Sequence, residues 1–138
     1  MMKIREKLRN QRGGSAVEFA IILFVLLLIV FGIIEFGLIF YNKQVITNAS
    51  REGARFGIVS RVPRYTDNEV AQVIYDYCQG RLYPQNSTTP PTVTVSAPSG
   101  TGFGSDLEVS VSWPYDFIFL PDFLMGQPLF AKTVMKYE

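Results

Sequence analysis

The sequence predicts an α+β protein: a long N-terminal helix, membrane-spanning in its first part, then a short helix packed on a small antiparallel sheet of about three strands. Three observations carry this. Phe19–Tyr41 is an apolar run of 23 residues interrupted by one charge, Glu35. Thr66–Leu82 opens on a helix-start signal and then places apolar residues at helical spacing. Three later stretches, Thr92–Ala97, Leu107–Trp113 and Leu129–Tyr137, alternate apolar with polar residues as half-buried strands do.

At 1.5 Å per residue the apolar run spans about 34 Å, enough for a hydrocarbon core of about 30 Å. It holds no proline. Ahead of it Lys3, Arg5, Lys7, Arg9 and Arg12 stand against Glu6, so the head carries five minus one, or +4, while the whole chain carries only +1. Such a head is a topology signal. It places the N-terminus in the cytoplasm and everything after Tyr41 outside. With the remaining basic residues scattered, nucleic-acid binding is not expected. A cleavable secretory signal would have a shorter apolar core, about 7–15 residues, and a small-x-small site. Ile39–Lys43 offers none.

Two glutamates need an account. Glu18 stands at the mouth of the membrane run, and Glu35 falls about one turn inside its outer boundary, both costly positions for a carboxylate. Glu35 either snorkels to interfacial water or pairs with a cationic group on a neighbouring subunit or assembly factor. The two are 17 residues apart, about 260° around a helix axis, so they do not share a face.

Asn42–Val59 keeps the helical pattern. Val45, Ala49, Gly53 and Gly57 recur every fourth residue, a stripe that becomes small at its far end. Glycine costs an isolated helix up to about 1 kcal/mol relative to alanine, and a backbone approaching closely would offset that. The helix should stop before Pro63. Thr66 and Glu69 have the spacing of a capping box. The helix they start should run to about Leu82, with Val70, Val73, Ile74, Tyr77 and Cys78 on one face against the sheet. Between the second and third strands the segment 114–128 is apolar but irregular. Its aromatic part, 115–125, either folds over the core or meets a partner.

The catalytic inventory is thin. The chain has no histidine and one cysteine, Cys78, so an intramolecular disulfide and a Cys/His metal site are both excluded. Cys78 reads as a buried helix residue, with a free or intermolecularly bridged thiol as the alternative. Gly100–Gly104 falls in a turn between strands, not between a strand and a helix, and so does not form a phosphate cradle. No enzyme, cofactor or small-molecule substrate is expected.

RGGSAVEFAIILFVLLLIVFGIIEFGLIFY at residues 12–41 and TNASREGARFGIV at 47–59 resemble the TadE-like proteins, minor pseudopilins of tight-adherence (Flp-type) pili in the type IV pilin superfamily. The closing LFAKTVMKYE is similar to their C-terminal ending. The resemblance implies cleavage by a membrane prepilin peptidase after a glycine. A cut between Gly13 and Gly14 places Glu18 fifth in the mature chain, and a cut after Gly14 places it fourth. It also implies that Glu18 neutralises the N-terminal amine of a neighbour during assembly, with Phe19 as the aromatic residue that follows it. A mature product of 138 − 13 = 125 residues is larger than the major Flp pilins, as a minor component would be.

The expected organisation is therefore a cytoplasmic leader at 1–13, a transmembrane helix at 14–41 and an extracytoplasmic α+β domain at 42–138. The expected residues are Gly13 and Gly14 for processing, Glu18, Phe19 and Glu35 for assembly, and Ala49, Gly53 and Gly57 for helix packing. The expected partners are the bacterial inner membrane, a prepilin peptidase, other pilin or pseudopilin subunits and the pilus assembly platform, with passage into the pilus after assembly. An uncleaved, membrane-anchored scaffold is the alternative. A third possibility is a ligand-binding module using 115–125 as its pocket.

Overall fold

The computed structural model describes residues 2–84, 89–119 and 128–138, with side chains from Gly13 onward. Residues 120–125 of the aromatic segment, and the side chains of the basic head, lie outside that description.

Helix α1 (Met2–Ile58) is continuous for 57 residues. Nothing in its sequence interrupts it, because the first proline comes at position 63. Side chains from Val17 to Phe31 are all exposed, so this stretch is not the core helix of a folded domain. It is long and apolar enough to cross a membrane by length and composition. Past Tyr41 the same helix acquires a buried face: Asn42, Val45, Ile46, Ala49, Ser50, Gly53, Ala54 and Gly57.

Helix α2 (Asp67–Cys78) begins with the capping box expected from Thr66 and Glu69. The Glu69 N–H donates to Thr66 Oγ1 at 3.3 Å, and the Thr66 N–H donates to Glu69 Oε2 at 2.7 Å. It buries Val70, Ile74 and Cys78 and half-buries Val73 and Tyr77, the face expected. It stops at Cys78 rather than near Leu82. Gly80 takes φ +71°, a left-handed conformation that glycine adopts without penalty, and the chain turns there.

The sheet has the order β1 (Thr92–Ser96), β2 (Asp106–Trp113), β3 (Leu129–Lys136), antiparallel throughout. Val95 pairs with Val109 and Val109 with Thr133; Val93 pairs with Val111 and Val111 with Ala131. These residues face the helices. The other face is wetter, with Lys132 on Glu108 at 2.6 Å and Lys136 on Asp106 at 3.3 Å. The outer half of α1 and all of α2 cover the inner face, enclosing Ile46, Ile74, Leu107, Val109, Val111 and Trp113. Full burial of each large aliphatic side chain there is worth about 1.5–3 kcal/mol.

Candidate functional site at the membrane exit

Glu35 is the polar centre of the molecule. It lies on the exposed apolar part of α1 yet is fully buried, because the chain leaving β2 folds back over it. Tyr115 donates its hydroxyl to Glu35 Oε1 at 2.6 Å. The backbone N–H groups of Ile118 and Phe119 donate to Oε2 at 3.1 and 2.8 Å. Every partner is a donor, which suits an ionised carboxylate, since it only accepts. One turn deeper, the ring of Phe119 stacks on Phe31, with centroids 4.9 Å apart and planes 7° from parallel.

The position of Tyr115 follows from the sheet. β2 ends at Trp113, whose indole N–H donates to the Thr89 carbonyl, and the Trp113 and Tyr115 rings meet edge to face at 5.9 Å. Burial, and then the hydrogen bond to Glu35, push the Tyr115 phenol well above its ordinary pKa. Tyr115 therefore remains a donor through the physiological range.

Seven residues along α1, and so on nearly the same face, Asn42 makes a second tie. Its side-chain N–H donates to the Tyr83 carbonyl at 2.6 Å, and its oxygen accepts from the Tyr83 N–H at 2.9 Å. Lys43 Nζ donates to the Phe130 carbonyl. Further out, the buried Ser50 hydroxyl meets Thr133 Oγ1 on β3 at 2.7 Å. Helix and domain are thus joined by polar ties where the chain leaves the apolar run.

The small stripe adds close packing. Ala49 is fully buried. A Cβ added at Gly53 would lie 2.5 Å from Ile74 Cγ1, and one at Gly57 would lie 2.6 Å from Leu107 Cδ2. A side chain at either position would have to displace Ile74 of α2 or Leu107 of β2.

The remaining expected residues lie elsewhere. Gly13 and Gly14 are within α1, where an added Cβ would meet nothing within 4 Å. Glu18 and Phe19 are exposed. At 17 residues from Glu35, Glu18 is about 26 Å away along the helix. The structure therefore separates Glu18 and Phe19 from Glu35 and gives Glu35 partners inside its own chain. A cleft of about 670 Å³ opens beside the end of α2, lined by Tyr75, Cys78, Leu82, Pro91 and Trp113 among others. The described aromatic residues, 115–119, do not line it.

Asn42 and Tyr115 were not legible as site residues. A polar side chain seven residues from Glu35 on the face carrying Ala49 was the available signal for Asn42. Nothing local marks Tyr115.

Fold and site together define a class: a subunit with one long helix, apolar in its first part and covered by a small α+β domain in its second. Residues 13–55 match the family model described as TadE-like protein, the family whose resemblance was drawn from the sequence. No curated protein and no solved structure matches the chain.

Proposed function

We propose that the chain is a minor pseudopilin of a tight-adherence pilus, inserted in the inner membrane with its N-terminus cytoplasmic and its α+β domain outside. In this reading a prepilin peptidase cuts between Gly13 and Gly14, and the mature subunit is incorporated into a pilus or primes one. Its role is assembly rather than catalysis. The observation that carries it is the TadE-like match over 13–55, falling on a helix whose exposed apolar run begins at Phe19, just after Glu18. Cleavage creates an ammonium beside apolar surroundings, and the Glu18 carboxylate of an adjacent subunit offsets the cost of burying it.

Mass spectrometry of the membrane-extracted protein, from cells with and without the peptidase, tests the reading. A mature N-terminus at Gly14 that depends on the peptidase supports it. A chain that keeps Met1 in both strains defeats it and leaves the uncleaved scaffold.

A further inference from the structure

We propose that Tyr115–Phe119 is a membrane-seated wedge, its apolar side chains entering the outer leaflet of the bilayer crossed by α1, with lipid acyl chains as their partner. The inference rests on α1 being a membrane helix and is independent of cleavage or pilus incorporation.

Depth is the first argument. With hydrocarbon beginning at Phe19, a core of about 30 Å ends near Ile39, which puts Glu35 about 6 Å and Phe31 about 12 Å below the outer boundary. Phe119 stacks on Phe31, and Ile118 and Phe119 donate their N–H groups to Glu35. A segment held by those contacts is at the depth of the residues that hold it.

Polar bookkeeping is the second. Irregular backbone at membrane depth has to be covered by protein rather than lie bare to lipid, and a lone carboxylate there is costly. Each supplies what the other lacks. The two N–H groups find the carboxylate, and the carboxylate finds three donors. The package that results presents apolar side chains outward.

Surface continuity is the third. Ile118 and Phe119 are 40% and 46% exposed, and Ile34 and Phe36, which flank Glu35 on α1, are 43% and 55% exposed, so the wedge extends the apolar surface of the helix.

The test uses the full chain in phosphatidylethanolamine–phosphatidylglycerol vesicles, in a Cys78→Ser background. Nitroxide labels are attached at Ile118→Cys, at Val25→Cys in mid-span and at Thr94→Cys on the wet face of the sheet. Power saturation then compares accessibility to oxygen, which partitions into the bilayer, with that to a water-soluble nickel chelate. Ile118 should follow Val25 in favouring oxygen, and Thr94 should favour the chelate. An Ile118 label that behaves like Thr94 while Val25 stays deep overturns the wedge alone. An Ile118 label shielded from both reagents overturns it in favour of a protein partner. A Val25 label open to the chelate overturns the membrane reading and the wedge with it. As a second measurement, Ile118→Trp should gain fluorescence that lipids brominated in the upper acyl chain quench. Equal quenching of this variant and the unsubstituted chain counts against the wedge.

Discussion

Glu35 and Tyr115 meet at 2.6 Å although 80 residues of chain separate them. One lies on the apolar part of the long helix and the other just past the middle strand of the sheet. With Asn42 on Tyr83, the contact holds the helix and the domain together where the apolar run ends. Bending the helix between Glu35 and Asn42 would strand a buried carboxylate, so these contacts couple helix to domain.

Replacing Glu35 should therefore destabilise the domain, even though Glu35 lies outside it in sequence. Hydrogen bonds to a charged group are worth about 1.5–3 kcal/mol, and Tyr115→Phe removes one of three. Glu35→Gln should cost more than its shape suggests, because the amide N–H₂ would face N–H and O–H donors. Denaturant unfolding in detergent, followed by fluorescence of the buried Trp113, reads the order Glu35→Gln below Tyr115→Phe below the unsubstituted chain. Equal midpoints for all three would show that the clamp carries no stability.

Gly53 sets two effects against each other. Alanine would gain up to about 1 kcal/mol of helix propensity. The added methyl would lie 2.5 Å from Ile74 Cγ1, and Ile74 is fully buried and cannot swing away. Overpacking costs about 1–3 kcal/mol, so the clash should win. Gly53→Ala should lower the thermal midpoint and Gly53→Leu should lower it further, with membrane insertion unchanged. A raised midpoint for Gly53→Ala would mean that α2 yields.

Local signals were legible and distant ones were not. Thr66 and Glu69 are three residues apart, so the capping box can be read from four letters. The alternation of Leu107, Val109, Val111 and Trp113 marks a strand because its period of two shows within one element. Gly53 and Gly57 announced a close approach but not that Ile74 and Leu107 make it, since a stripe of small residues does not name its partner. Glu35 was visible as an anomaly. Its partners were not, because 114–119 has no periodicity and the backbone N–H groups of Ile118 and Phe119 have no signature in sequence at all. An apolar residue such as Leu82 cannot carry α2 past Cys78, because Gly80 decides the turn.

Cys78 should be slow to react. It is buried on the inner face of α2, and burial pushes its thiol up to about 11. The thiolate is the nucleophile, so its population at neutral pH is smaller than that of an exposed cysteine. Because the folded value is raised, the contribution of Cys78 to stability is fully present below the ordinary thiol pKa, and it is lost as pH rises through about 11. Iodoacetamide labelling at pH 8 should be much slower in the folded protein than in urea. Comparable rates would place the thiol at the surface.

The capping box gives α2 an acid-sensitive start. Hydrogen bonds from the backbone and side chain of Thr66 lower the Glu69 pKa below its ordinary value. A depressed folded pKa means that the Glu69 contribution is present above the unfolded pKa and is lost as pH falls through the folded one. Glu69 stands in the first turn of α2, at the positive end of the helix dipole. Amide exchange at Asn68, Glu69 and Val70 should therefore accelerate on acidification below the ordinary carboxylate range, relative to the mid-sheet amides of Val109 and Val111. Thr66→Ala removes the hydroxyl that accepts from the Glu69 N–H and should cost about 1 kcal/mol at neutral pH. Glu69→Gln, which can still bond the Thr66 N–H but carries no charge, should keep most of the neutral-pH protection and lose its acid dependence. If the acid dependence survives in Glu69→Gln, it does not arise from the capping carboxylate.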